Sequence, residues 1–285
     1  MNRAIKPGVV ATAWAVAIVS WLLFAVPRSM HWRPAQLLVE EAIIAISSLA
    51  AYVIALSTCH LIASEYDRGT WMRWSWLAFG GNAAFSILRH GVDNSFLKLW
   101  WPGYWQQAAL SLMRQSAVIL SLLCLLIGII ASWLAFHRLG LGFRMLRRDK
   151  IALALVFVLV TGILCFRERL TEAQSPFRLA WYLQQVTQVL LAAAAAASVP
   201  LHRLCVQMGG GRLAATLRWI LLYAGGRCAV VFATVTLPDG WEKVPAATLA
   251  YGVAFYSMPW VFAMATATRG RMAEQARDVS RRAAA

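Results

Sequence analysis

The sequence predicts an all-α fold, a polytopic membrane helix bundle of about eight transmembrane helices in two parallel four-helix repeats. Three observations predict it. Hydrophobic residues make up 60% of the chain and charged ones 14%, about half the charged share usual in soluble domains, and apolar runs of spanning length recur along it. The stretch Arg73-Trp74-Ser75-Trp76-Leu77-Ala78-Phe79-Gly80-Gly81-Asn82-Ala83-Ala84 returns as Arg218-Trp219-Ile220-Leu221-Leu222-Tyr223-Ala224-Gly225-Gly226-Arg227-Cys228-Ala229, identical at six of twelve positions with one offset of 145. Finally, with eight spans drawn, one set of loops and ends holds 17 Arg or Lys and the other 8, while Arg114 and Arg227 fall within spans. That asymmetry puts both termini in the cytoplasm, and an even repeat unit makes the halves parallel.

Each residue type in the repeat has a physical job. Arg and Trp hold a helix end at the membrane interface, and a Gly-Gly pair is a notch where two helices approach closely. The pairs Arg33/Arg178, Ala35/Ala180, Leu38/Leu183, Lys98/Lys243 and Met113/Met258 keep the same offset on both sides of the motif. The chain therefore reads as a single integral membrane domain over 1–285, with pseudo-repeats 1–137 and 151–268 and a basic cytoplasmic tail, 269–285.

The elements follow in order. Met1 to Lys6 is a basic leader, and the apolar run Gly8 to Val26 is a first span rather than a cleaved signal, being long and lacking a small-residue cleavage site. A second helix covers about Leu37 to Ile62, with Glu40 and Glu41 just inside its start. Thr70 is the N-cap of a third, to about Leu88. The aromatic segment Arg89 to Trp105 suits the headgroup layer or a lid over a pocket. The fourth helix, Gln106 to His137, is long enough to tilt, and the loop Arg138 to Lys150 carries five cations and one acid. A short fifth helix spans Ile151 to Phe166. The sixth, Arg178 to about Cys205, contains the run Ala192 to Ala197 expected of a closely packed interior helix. Gly209-Gly210-Gly211 is an inter-helix turn, lacking the Lys and Ser/Thr of a phosphate loop. The seventh helix is Arg212 to Thr236, and the eighth about Ala246 to Thr268.

A net charge of +15 would suggest nucleic acid in a soluble chain, but most cations flank apolar runs, so orientation and anionic lipid account for them and nucleic acid is not a partner. The bilayer is the expected partner, together with a protein partner or a second copy. Arg outnumbers Lys 23 to 4 and Ala is abundant, the codon signature of a GC-rich genome, which predicts a bacterial inner membrane. No phosphate-loop, H-E-x-x-H, G-x-S-x-G, kinase or zinc-finger spacing occurs, so the reading leans away from an enzyme.

Two constellations remain. Glu40, Glu41, Asn82, Arg114, Gln184, Gln185, Gln188 and Arg227 fall at comparable depth in the outer half of the predicted topology and form the candidate ligand-binding set. Ionisable groups within a span cost a few kcal/mol unless paired or hydrated, so they face the bundle interior, with Glu41 pairing Arg114 or Arg227, or else snorkel and bridge helices structurally. His60, His137 and His202, near Cys59 and Cys205, end the second, fourth and sixth helices. Such positions can hold haem or a metal, although ring nitrogens at a wet interface need no ligand. No cofactor is the main expectation.

The pattern Arg73-Trp74-x-x-Leu77-x-x-Gly80, after a short charged turn, resembles the multi-helix membrane sensor regions of bacterial signalling proteins over about a sixth of the chain. Those regions precede a kinase or cyclase output domain, so the resemblance implies a sensor module that works through a separate partner. The functional expectation is a non-enzymatic, ligand-sensing or complex-forming membrane subunit with an outward-facing polar pocket. The alternatives are a small-solute transporter, then a haem- or metal-binding redox subunit.

Overall fold

The computed structural model describes residues 55–92, 104–140, 145–165 and 178–237, with positions 15, 49, 52 and 53 besides. The first predicted span apart from Ala15, the eighth predicted span, Glu40, Glu41, the Trp100 to Gly103 part of the aromatic loop and the basic tail lie outside the described residues. All regular structure within them is helical: α1 (55–63), α2 (Trp71–Val92), α3 (Tyr104–Arg138), α4 (Arg147–Cys165), α5 (Arg178–Gln207) and α6 (Arg212–Thr236).

The helix ends follow from local chemistry. After α1 the chain turns through Glu65 N–H to Ile62 O (3.0 Å) and Tyr66 N–H to Ala63 O (3.2 Å). Thr70 then caps α2: its Oγ1 accepts the Arg73 N–H at 3.4 Å, satisfying one of the first-turn donors. At the end of α5, Gly210 N–H donates to Cys205 O (2.9 Å) and Gly209 N–H to Val206 O (3.1 Å), the paired bonds of a glycine-terminated helix. Gly209, Gly210 and Gly211 all have positive φ, at 96, 80 and 102°, conformations that strain any residue with a Cβ. α4 starts with Asp149 Oδ2 accepting the Leu146 N–H at 2.8 Å, a side chain of the first turn reaching back to the cap.

α2 and α3 pack antiparallel along a seam of small residues. A Cβ on Gly128 would lie 2.6 Å from the Phe79 ring, and one on Gly81 would lie 3.0 Å from Cys124 Sγ; Gly80 lies against Leu56 and Cys59 of α1. The Gly80-Gly81 notch thus serves two helix crossings, one glycine to each. Phe79 and Trp76, both buried, meet edge to face at 5.8 Å. α5 packs against α3, α4 and α6, and its alanine run carries the buried Ala192, Ala194 and Ala195.

Two of these helices, Ala108–Arg138 in α3 and Gln185–Gln207 in α5, are long and apolar enough to cross a membrane among the described residues. This corrects the expectation of eight spans, and with it the multi-pass placement in a bacterial inner membrane with both ends cytoplasmic. The reason is charge and polarity within the helices. α4 gives its first turn to Arg147, Arg148, Asp149 and Lys150, and α2 carries Arg73, Asn82, Arg89 and His90. Each such residue shortens the apolar stretch available to lipid.

Candidate functional site

One end of the bundle gathers the α1–α2 turn, the C-termini of α3 and α5 and the N-termini of α4 and α6. It is held by Arg212, nearly buried, whose Nη1 lies 3.0 and 3.2 Å from the two carboxylate oxygens of Glu65. Arg73 Nη1 donates to Tyr66 O at 3.3 Å, and Arg138 sits over the Trp71 ring at 5.5 Å. Burial, then the Glu65 carboxylate, push the Tyr66 phenol up to about 12; the Arg212 guanidinium and the neighbouring Trp76 indole, whose Nε1 stops short of hydrogen-bond geometry, oppose this.

Midway along the bundle lies a buried polar layer. Because Gly81 brings α2 close to α3, the Asn82 carboxamide reaches across: its Nδ2 donates to Ser121 O (2.9 Å) and Ser121 Oγ (2.7 Å). Ser86 Oγ donates to Asn82 O at 2.8 Å, and lies 3.1 Å from Ser121 Oγ. Nearer the charged end, Ser75 and Ser132 meet at 2.6 Å beside the carbonyl of Gly128, to which each lies at 2.9 Å. These hydroxyls satisfy one another where water is excluded.

α5 joins this layer. Trp133 Nε1 of α3 donates to Ala197 O of α5 at 3.5 Å, next to Pro200, which removes one rung of the α5 ladder. α3 and α5 run the same way, so that contact sets Gln185 level with Ser121 and Gln188 level with Cys124, to within about a turn at ~1.5 Å rise per residue. Gln188 is 6% exposed and Thr58, on α1, is fully buried. Asn82 Oδ1, Gln188 Oε1, Thr58 Oγ1 and both amide atoms of Gln185 have no hydrogen-bond partner. A buried polar atom in that condition costs about 1–3 kcal/mol, so the layer holds unspent hydrogen-bonding capacity from α1, α2 and α5.

Of the predicted site residues, then, Asn82 lies in this layer, and Gln185 and Gln188 lie at about its level on α5. Arg114 is half-buried on α3, seven residues from Ser121 toward the other end, and Arg89 occupies the equivalent level on the oppositely running α2. Gln184 and Arg227 belong to α5 and α6, but their side chains are not among those described; Glu40 and Glu41 lie outside the described residues. Sequence reasoning missed Ser86, Ser121, Thr58 and Arg89. Ser86 stands four residues after Asn82 and Ser121 seven after Arg114, helical spacings that mark one polar face.

The histidine constellation is corrected. His60 and His137 are exposed, and His202 is half-buried with its Nε2 accepting from Arg218 Nε at 3.4 Å, which engages the lone pair a metal would need. Among the described residues no three His, Cys, Asp or Glu side chains converge to hold a metal ion, so the low-ranked haem or metal site near His60, His137 and His202 has no support. Cys59 and Cys205 are buried thiols. No known protein family, curated protein or solved structure matches this chain.

Proposed function

We propose that this chain is a non-enzymatic integral membrane module that senses a small polar ligand, or assembles with a partner, through the layer formed by Asn82, Ser86, Ser121, Gln185 and Gln188. The observation that carries the reading is Gln188: a nearly buried carboxamide with an unpartnered oxygen, on a helix apolar and long enough to cross a membrane. Membrane residence is supported by α3, which is apolar on opposite faces. Leu110, Ala117, Val118, Leu122, Leu125 and Ile129 are buried, while Met113, Leu120, Leu123, Ile127, Ile130 and Leu134 are exposed. A helix hydrophobic all round belongs in a protein core or in lipid, and this one has a side facing outward. Arg89, half-buried beyond the layer, favours an anionic or carboxylate-bearing ligand.

The sensor resemblance of Arg73-Trp74-x-x-Leu77-x-x-Gly80 agrees with this reading. The second reading, a small-solute transporter, is favoured by Pro200 inside α5, since a helix with a missing rung can bend as a site alternates.

Thermal unfolding of the purified protein in detergent, against a panel of small carboxylates, amino acids and sugars, tests the proposal. A midpoint raised by one solute, and no longer raised in Gln188→Leu, is the expected result. Uptake of that solute into liposomes holding the protein selects the transporter, and a panel without any shift removes the ligand-sensing reading.

A further inference from the structure

At the charged end of the bundle, where α4, α5 and α6 pack on one another, Arg218 of α6 donates from Nε to His202 Nε2 of α5 at 3.4 Å, Arg203 follows His202 on α5, and Arg148 in the first turn of α4 is near enough to act electrostatically on the same ring. Among the described residues Asp149 is the one acid with the same reach. Asp149 is itself nearly buried, and its Oδ2 is engaged by the Leu146 N–H. Among the described residues none of the three arginines has a carboxylate within ion-pair distance, in contrast to Arg212 with Glu65. Arg203 Nε is buried and without a hydrogen-bond partner, while Arg218 Nε is steadied by His202. Three like charges from three helices repel one another, and an anion placed among them relieves that repulsion and accepts their N–H groups.

The position along the bundle says which anion. On α4 the cations Arg147, Arg148 and Lys150 give way at once to the exposed apolar side chains Ile151, Leu155, Phe157 and Val158. A guanidinium cluster directly beside an apolar face turned outward has the layering of a headgroup region over acyl chains.

We propose that Arg148, Arg203 and Arg218 form a binding site for the phosphodiester of an anionic phospholipid, whose acyl chains lie along the exposed apolar face of α4. His202 is a positioning residue that orients the Arg218 guanidinium. Arg, rather than Lys, at all three positions suits the planar, two-pronged contact a phosphate oxygen pair accepts.

The test is thermal unfolding of the full chain in neutral detergent on titration with short-chain phosphatidylglycerol, phosphatidylcholine or inorganic phosphate. Phosphatidylglycerol is expected to raise the midpoint saturably, and each Arg→Gln change at 148, 203 or 218 to weaken that response about tenfold. A variant that loses more charge at the same end, three cations in Arg68→Gln with Arg147→Gln and Lys150→Gln, is expected to keep the response. An equal response to inorganic phosphate overturns the lipid assignment, and no response to phosphatidylglycerol, or equal loss in the control variant, overturns the site. Should Arg203→Gln fail to fold, Arg148→Gln with Arg218→Gln carries the same comparison, both residues being exposed.

Discussion

Arg212 and Glu65 close an ion pair across 147 residues of chain, with Nη1 at 3.0 Å from Oε1, the arginine side chain 8% exposed and the glutamate side chain 33%. The pair ties the turn between α1 and α2 to the first residue of α6. The partners are unequal in burial, so removing either has an unequal effect. Glu65→Ala leaves a buried guanidinium uncompensated and is expected to cost about 2 kcal/mol, whereas Arg212→Leu leaves a carboxylate that water can reach and costs about 1 kcal/mol. A double-mutant cycle read by thermal unfolding in detergent checks the coupling; additive effects would mean that the two do not stabilise each other.

The seam between α2 and α3 depends on the absent side chain of Gly128. Gly128→Ala drives a methyl against the buried Phe79 ring at 2.6 Å, and overpacking of this kind is expected to cost about 1–3 kcal/mol. Phe79→Leu on that background should recover part of the loss, and a Gly128→Ala protein with an unchanged midpoint would show that the ring moves aside freely.

Asn82→Ala removes two donated bonds and leaves Ser121 with fewer partners. Hydrogen bonds between helices in apolar surroundings contribute about 0.6 kcal/mol each on average, so a loss of roughly 1–2 kcal/mol is expected, and Asn82→Asp should be worse because it brings a charge into the layer. The comparison needs the unfolding midpoints of both variants and of Ser121→Ala.

Tyr66 makes stability fall at high pH. Its phenol ionises near 10 when unfolded and at about 12 in the folded protein, chiefly because it is buried. Above pH 10 the unfolded chain loses that proton while the folded chain keeps it, so stability present below pH 10 is lost as pH rises toward 12, by roughly 2 kcal/mol. Tyr66→Phe should flatten the profile over that interval alone, and an unaltered slope would place the phenol in water.

The turn between α5 and α6 requires glycine in succession. Gly209→Ala, at φ 96° and open to space, is expected to cost about 1 kcal/mol from backbone strain alone, and Gly69→Ala, at φ 90° and equally open, should cost about the same when the two unfolding midpoints are compared.

Much of the fold was legible in the chain. Thr70 as a cap, the glycine run as a turn, the Gly80-Gly81 notch and the alanine run of α5 follow from local preferences and side-chain size, which act over a few residues and need no knowledge of the rest. Helix existence was equally legible, since apolar periodicity is written along each segment. The number of spans was not, because an apolar run of spanning length and a helix carrying Arg73 and Arg89, or Arg147, Arg148 and Lys150, look alike until its true ends are fixed.

By itself, then, the sequence determined a helical, strongly apolar chain with basic ends to its helices and polar residues set in helical register. Only the tertiary structure decided which of them meet. Asn82 finds Ser121 because Gly81 allows the approach and the antiparallel sense of α2 and α3 fixes the level. Gln188 comes level with that layer through a register set by Trp133 and Ala197, and Arg212 pairs with Glu65, a partnership that no local pattern in the sequence marked. The physical reason is range: propensity and capping are properties of neighbours in the chain, whereas an ion pair across 147 residues depends on the relative rotation and rise of whole helices, set by packing of side chains that no single segment contains.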